Sequence, residues 1–274
     1  MLKKLKIKTD YHMHSIFSPD GHHSPATLCQ TALELGLTEI AITEHAEWHP
    51  DGQPQGFPGV AAYFAAIEQC RAEFGPRGLT IHTGVELGNP HQYPAQAAAL
   101  VNDYPFDVVI GSLHWLYGEN IHLESCFANR HPDDVYIDYF IELERMATDV
   151  DFDFVAHFDR IIWRGTLLGA RFDPWRYESI IRPALAAIAR HGKALELNTR
   201  FLTHTPNWNK ALLTIFHWFL REGGSRVVVN SDAHHIDQIG RNFDLAQQLL
   251  ILAGYDLPAQ LLRVKSTVTD LLSR

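Results

Sequence analysis

The strongest constraint on the fold is an alternation of two kinds of segment along the chain. Short apolar segments have the pattern of strands, and longer segments with spaced apolar residues have the pattern of helices. Seven strands are predicted, over residues 5–11, 38–43, 79–85, 106–110, 152–156, 194–197 and 226–229. Helices are predicted over residues 25–35, 58–74, 94–102, 133–149, 174–191, 207–222 and 242–252. Because no linker interrupts this alternation, we predict one α/β domain over residues 1–274 with a parallel sheet.

A polar side chain follows every predicted strand at its C-terminal end. These residues are His12 and His14, Glu44 and His45, Glu86, His114, His157 and Asp159, Glu196 and Asn198, and Asp232 and His234. In a parallel barrel the C-terminal strand ends form one rim, and active sites lie on that rim. An open doubly wound sheet remains the alternative architecture, but it brings fewer strand ends together. The pattern therefore favours a barrel with a functional site on its rim.

Two of these strand ends have a spacing that suits a metal ion. Alternate residues of a strand point to the same side, so His12 and His14 can reach one cavity, and so can Asp232 and His234. Imidazole and carboxylate ligands suit Zn, Fe or Mn. A buried group of imidazoles and carboxylates without a cation would carry a large desolvation cost. The sequence therefore predicts a metal site at the rim.

The composition argues against several other classes of protein. Three scattered cysteines, Cys29, Cys70 and Cys126, exclude a disulfide scaffold and a Cys-based zinc finger, and we expect a reducing, cytoplasmic location. We expect no membrane span and no signal peptide, since no apolar run has the required length. The net charge of −9 predicts no general electrostatic binding of nucleic acid. We therefore expect a small-molecule partner.

Two classes of metal-hydrolase barrel begin with an H-x-H pair after the first strand. The amidohydrolase class often bridges two metal ions with a carboxylated lysine at a strand end. Beyond the first eight residues the lysines are Lys193, Lys210 and Lys265, and none of them follows a predicted strand. Glu86 could take the bridging place instead.

The second class is the PHP family (polymerase and histidinol phosphatase), which the chain resembles in six successive motifs. The motifs are DYHMHS at 10–15, ITEH at 42–45, GVE at 84–86, GSLH at 111–114, AHFD at 156–159 and SDAH at 231–234. This resemblance implies a distorted seven-stranded parallel (β/α)7 TIM-like barrel. The segments FSPDG at 17–21 and ELNT at 196–199 further resemble the histidinol-phosphatase branch of the family.

The same resemblance implies a centre of three divalent metal ions, which would be Zn, Fe or Mn. The implied ligand sets are His12, His14, Glu86 and Asp232 for one ion, Glu86, His114 and His157 for a second, and Asp20, His45 and His234 for a third. Glu86 would bridge the first two ions, and Asp232 or a water molecule would give a proton to the leaving alkoxide. The implied reaction is hydrolysis of L-histidinol phosphate to L-histidinol and phosphate in histidine biosynthesis.

A phosphate group also needs fixed cationic partners, for which arginine has the preferred planar geometry. Arg160 and Arg200 lie just past strand ends and are the substrate-binding candidates, with Arg164 as a third. Arg200 follows Thr199 directly, whereas the histidinol-phosphatase branch tends to have a small residue there and an arginine a few positions later. This departure keeps a sugar or nucleotide phosphate open as the substrate. A nuclease-like module that acts on nucleic acid is a further alternative, which the net charge opposes.

Overall fold

A parallel sheet is the frame of the molecule. The computed structural model describes residues 7–53, 55–202 and 206–256. Its strands are β1 (Thr9–Asp10), β2 (Glu39–Ala46), β3 (Thr80–Gly88), β4 (Val108–Ser112), β5 (Trp115–Leu116), β6 (Glu119–Asn120), β7 (Phe154–Val155), β8 (Ala194–Asn198) and β9 (Val227–Asn230). Seven of them form one sheet in the order β1-β2-β3-β4-β7-β8-β9, and every pair in it is parallel. Strands β5 and β6 form a separate antiparallel hairpin.

Helices follow most of the parallel strands and pack on the outside of the sheet. They are α1 (Pro25–Glu34), α2 (Val60–Phe74), α3 (Pro94–Asp103), α4 (Pro132–Asp149), α5 (Arg160–Leu167), α6 (Glu178–Arg190), α7 (Pro206–Arg221) and α8 (Phe243–Ala253). Alternate strand residues belong to two separate cores. Val109 packs with the helices in the large outer cluster, whereas its neighbours Val108 and Ile110 belong to a small cluster with Phe154 and Val228. The small cluster fills the inside of a curved sheet.

The two edge strands of the sheet meet through a few contacts. Met13 and Ala233, just beyond β1 and β9, form an isolated parallel bridge, and the amide of His14 donates to the carbonyl of Ala233 at 2.8 Å. Below this bridge, the amide of Tyr11 donates to the side chain of Asn230 at 2.8 Å. The predicted distorted seven-stranded barrel is thereby confirmed, with its weakest seam between β1 and β9.

The structure differs from the sequence prediction in local detail. The first predicted strand includes residues 5 and 6, which lie outside the described residues, and β1 begins at Thr9. The helix predicted over 174–191 divides into a 3₁₀ turn, Pro174–Tyr177, and α6. Helix α5 and the β5–β6 hairpin were not predicted. In the described part of the chain, no helix combines the length and the apolar character needed to cross a membrane.

Candidate metal centre

The carboxylate of Glu86 lies at the middle of a buried group of imidazoles. Glu86 is near the end of β3, and its side chain is fully buried. One oxygen, Oε1, is 2.7 Å from Nε2 of His157 and 3.1 Å from Nε2 of His114. Nitrogens of three further imidazoles lie within 3.4 Å of the other oxygen, Oε2, and they belong to His12, His14 and His45. One carboxylate therefore contacts side chains that lie at or just beyond the C-terminal ends of β1, β2, β4 and β7.

Two aspartates extend this group toward the last strand. Oδ1 of Asp232 is 3.5 Å from Nε2 of His14 and 3.7 Å from Nε2 of His12. Asp20 pairs with His45 at 3.4 Å and with His234 at 3.0 Å. The structure thus brings together all nine side chains that the sequence proposed as ligands.

Several sets of three side chains have ligand atoms close enough to share one cation. The sets are His12–His14–Asp232, His12–Glu86–His157, His14–His45–His234 and His45–Glu47–His114, each with its ligand atoms within 4.8 Å of one another. The first falls within one ligand set implied by the sequence, while the next two combine members of neighbouring sets. The fourth includes Glu47, which is not among the nine predicted ligands.

Buried atoms of this group fit a divalent cation. The atoms of this group that have no hydrogen-bond partner among the described residues include Nε2 of His12, Nε2 of His14, Nδ1 of His45, Oε2 of Glu86 and Oδ1 of Asp232. Unpaired polar atoms are costly to bury, and these five point toward one another across 3.0–3.7 Å. Metal ions bound between them would satisfy imidazole and carboxylate donors together.

The electrostatics of the group keep its carboxylates ionised. Burial by itself raises the pKa of Glu86, but the charges of His12, His114 and His45 outweigh burial and hold that pKa well below its usual range. Burial lowers the pKa of His157 to about 4, and the charge of Arg160 acts in the same direction. His157 is therefore a neutral imidazole with a free lone pair, which is the form that binds a metal.

A pocket of about 380 Å³ opens onto these side chains. Both predicted phosphate-binding arginines line it, together with Asp20, His45, His114 and His234. Nη2 of Arg160 donates to Oδ2 of Asp232 at 2.7 Å, and Nη1 of Arg200 lies 3.5 Å from the same oxygen. Arg164 is not among the lining residues, and its guanidinium lies over the ring of Trp163.

The family model of the PHP domain matches residues 10–200 of the chain. The chain belongs to the PHP domain family. It is 26% identical to a histidinol-phosphatase of Lactococcus lactis over 90% of this chain and 92% of that protein. It is 25% identical to a probable histidinol-phosphatase of Clostridium acetobutylicum over 88% of this chain and 91% of that protein.

A solved structure has the same fold. It is the histidinol phosphate phosphatase HisK of Lactococcus lactis in complex with zinc, L-histidinol and phosphate, with a TM-score of 0.81 and 24% identity over 91% of this chain and 94% of that chain. Family membership and the full-length relatives together make this PHP domain a phosphoric monoester hydrolase.

A second layer of acidic residues holds the histidines of this PHP domain in place. Oε1 of Glu196, on β8, accepts a hydrogen bond from Nδ1 of His12 at 2.8 Å, and its Oε2 accepts one from the backbone amide of His157 at 2.7 Å. Glu44 accepts hydrogen bonds from the hydroxyls of Ser15 and Ser18. Contacts of this kind fix which ring nitrogen is free to bind a metal. Both glutamates lie at predicted strand ends, but their sequence positions alone did not indicate this role.

Two of the proposed ligands have unusual backbone conformations. His157 has φ 25° and Asp232 has φ 50°, which is the left-handed region that side chains other than glycine avoid. Such conformations cost about 1–3 kcal/mol each and are concentrated at functional sites. In these conformations the side chain of His157 contacts Glu86, and that of Asp232 lies beside His14.

Proposed function

We propose that this chain, as a single PHP-type metal-dependent hydrolase domain over residues 1–274, hydrolyses L-histidinol phosphate to L-histidinol and phosphate in histidine biosynthesis. The observation that carries the proposal is one pocket that combines two arginines with metal-binding side chains, in a chain that matches histidinol-phosphatases along most of their length.

The proposed centre holds three divalent ions, which would be Zn, Fe or Mn. We assign His12, His14, Glu86 and Asp232 to one ion, Glu86, His114 and His157 to a second, and Asp20, His45 and His234 to a third. When bound, such ions lower the pKa of coordinated water to near neutrality and neutralise charge on the phosphate oxygens.

The two arginines bind and orient the phosphate group. Each guanidinium offers parallel N–H donors that match two phosphate oxygens. In the structure Asp232 accepts a hydrogen bond from Arg160 and lies close to Arg200, so it holds both cations at the entrance to the metal-binding side chains. The phosphate of the substrate then lies between the arginines and Glu86.

The reaction adds the oxygen of water to phosphorus and breaks the bond from phosphorus to the alcohol oxygen. The proton of the water goes to the leaving alkoxide, so the products are the alcohol and phosphate. Asp232 and Glu86 are the proposed catalytic residues. We assign that proton transfer to Asp232, because one of its oxygens lies near the imidazole of His14 and the other accepts a hydrogen bond from Arg160. Glu86 joins two ligand sets through its two oxygens.

A panel of phosphate monoesters tests the proposed function. L-histidinol phosphate, a sugar phosphate, a nucleoside monophosphate and p-nitrophenyl phosphate are compared by phosphate release from metal-replete protein. We expect kcat/KM for L-histidinol phosphate to exceed the others by at least about tenfold, or about 1.4 kcal/mol. An equal or lower kcat/KM for L-histidinol phosphate would contradict it as the substrate. Another small phosphate ester would then be the substrate, as the position of Arg200 allows.

Elemental analysis of the same preparation tests the centre itself. We expect roughly three ions per chain, in keeping with the three proposed ligand sets. Fewer than two ions per chain, together with unchanged activity of His114→Ala, would refute the proposed centre.

A further inference from the structure

Glu47 is a buried acid in contact with the metal centre that is outside the nine proposed ligands. Its side chain is 8% exposed. Oε1 accepts a hydrogen bond from Nδ1 of His114, and Oε2 accepts one from the indole Nε1 of Trp115 at 3.2 Å. Both carboxylate oxygens are therefore occupied by two consecutive residues that follow β4.

The contact with Glu47 determines which nitrogen of His114 faces the centre. Nε2 of His114 lies 3.1 Å from Oε1 of Glu86. A neutral imidazole carries its proton on one nitrogen only, so a proton held on Nδ1 by a carboxylate leaves the Nε2 lone pair free. Glu47 thus selects the tautomer of His114 that can bind a metal on the side of Glu86.

The backbone at Gly88 provides the space for the Glu47 carboxylate. A Cβ atom at Gly88 would lie 2.2 Å from Oε2 of Glu47 and 2.4 Å from Cδ and Oε1. Gly88 lies in β3 opposite Ser112 of β4, and it is not among the residues with positive φ. A glycine is therefore needed here for space and not for backbone conformation.

Glu47 also stands at the start of a loop that reaches the pocket. Its carbonyl accepts a hydrogen bond from the amide of Gly56, and the ring of His49 stacks on Trp115 with centroids 3.9 Å apart. Asp51 and Gln53 of this loop line the pocket. The loop is thereby attached to the pair of residues that the Glu47 carboxylate holds.

We propose that Glu47 is a positioning residue of the metal centre, which fixes the tautomer and orientation of His114, and that Gly88 lacks a side chain so that the Glu47 carboxylate can reach it. This inference rests on the proposed metal-dependent function. Within the proposed centre, Glu47 orients His114, one ligand of the second ion.

A double-mutant cycle tests the proposal with Zn²⁺ as the probe. Glu47→Ala, Gly88→Ala and the double variant are made in the full chain, and Zn²⁺ affinity is measured by competition with a chelator. We expect each single variant to weaken the affinity of one ion by roughly 10- to 100-fold, as loss of such contacts does. We expect the double variant to be no weaker than Glu47→Ala, because the methyl group of Gly88→Ala displaces a carboxylate that is already gone.

Matched controls separate positioning from general damage. Glu142→Ala breaks a comparable glutamate–histidine pair, Oε2 to Nε2 of His91 at 2.8 Å, outside the pocket lining. Gly224→Ala introduces a comparable steric clash outside the pocket lining, where a Cβ would lie 2.2 Å from Cε2 of Phe219. Neither control should change Zn²⁺ affinity. Unchanged affinity in Glu47→Ala, or additive losses in the double variant, would overturn the proposal.

Nitrogen NMR of His114 in Zn²⁺-loaded protein gives a readout that does not depend on activity. We expect the wild-type ring to be protonated on Nδ1, and the Glu47→Ala ring to be a mixture of tautomers. A ring protonated on Nε2 in the wild type would contradict the proposal. If wild-type protein binds Zn²⁺ with the expected tautomer but releases no phosphate, the proposed function fails while the role of Glu47 stands.

Discussion

The carboxylate of Asp232 contacts two imidazoles of the candidate metal centre with one oxygen and an arginine with the other. Oδ1 lies 3.5 Å from His14, and Oδ2 accepts a hydrogen bond from Arg160 at 2.7 Å. Burial alone raises the pKa of Asp232, but the charges of His12, Arg200 and Arg160 outweigh burial and hold that pKa well below its usual range. An ionised Asp232 therefore connects the two arginines proposed to bind phosphate with the candidate metal centre electrostatically.

Replacement of the arginines by lysine separates phosphate binding from metal binding. Arg160→Lys and Arg200→Lys keep the charge but lose the planar pair of donors. A hydrogen bond to a charged group contributes about 1.5–3 kcal/mol, so we expect kcat/KM to fall roughly 10- to 100-fold with metal content unchanged. Arg164→Lys is the control, because Arg164 is not among the residues that line the pocket. A loss in Arg164→Lys as large as in the other two variants would contradict this assignment.

The contacts among the proposed ligands follow from one spacing along a strand and from the position of one strand end. The i, i+2 spacing brought His12 and His14 together, and the position of Glu86 near the end of β3 placed it within reach of both. The same spacing relates His45 to Glu47 and could have identified Glu47. Glu47 was not predicted as a site residue, because the predicted strand ends at residue 43 whereas β2 continues to Ala46.

Helix α5 and the β5–β6 hairpin show what the sequence could not predict. Helix α5 has only eight residues and contains Gly165, a poor helix former. The glycine is explained only by packing, since a Cβ there would lie 2.0 Å from the hydroxyl oxygen of Tyr136. The hairpin has two-residue strands, and its turn places Tyr117 at φ 57°. Elements this short have no detectable periodicity, so only tertiary contacts define them.

The N-cap of α1, Ser24, offers a test that is confined to one helix. The hydroxyl of Ser24 accepts a hydrogen bond from the amide of Thr27 at 3.2 Å, and no proposed site residue lies in α1. We expect Ser24→Ala to lower the free energy of unfolding by about 1 kcal/mol and to leave kcat/KM unchanged. Urea unfolding measures the loss, and Ser24→Asp should retain most of the stability. Equal destabilisation in Ser24→Asp would show that the cap does not account for the effect.

In the molecule as a whole, the candidate metal centre lies across the weakest seam of the barrel. The Met13–Ala233 bridge joins the two edge strands of the sheet. Proposed ligands flank it on both sides, His12 and His14 beside Met13, and Asp232 and His234 beside Ala233. Cations bound by these four residues would therefore close the sheet as well as perform chemistry.

Metal removal should open this seam. A ligand at 100 times its dissociation constant stabilises the folded state by about 2.7 kcal/mol. We expect a chelator to lower the melting temperature by at least roughly 5 °C, with a matching gain on addition of Zn²⁺. Hydrogen exchange at the His14 amide should speed up more than exchange at the amides of β3, which pairs along its length with β2. Uniform acceleration across the sheet would contradict a role in closure.

The opposite end of the barrel has charged groups with a different role. His82, near the start of β3, donates to Glu39 at 2.8 Å and lies 3.8 Å from Asp107, which also accepts a hydrogen bond from Arg71 at 2.6 Å. Burial by itself lowers the pKa of His82, but the hydrogen bonds and charges of Asp107 and Glu39 outweigh burial and raise that pKa. Residues at this face of a parallel barrel contribute to stability and not to catalysis.

The raised pKa of His82 makes its contribution to stability depend on pH. A histidine whose pKa is higher in the folded state stabilises that state fully below its unfolded pKa, and the stabilisation is lost as the pH rises through the folded value. We therefore expect His82→Gln to reduce the free energy of unfolding more at about pH 6 than at about pH 9. Urea unfolding of both proteins in excess chelator removes the pH dependence of metal binding from the comparison, and the other histidines cancel in the difference between variant and wild type. An equal reduction at both pH values would show that protonated His82 does not stabilise this face of the barrel.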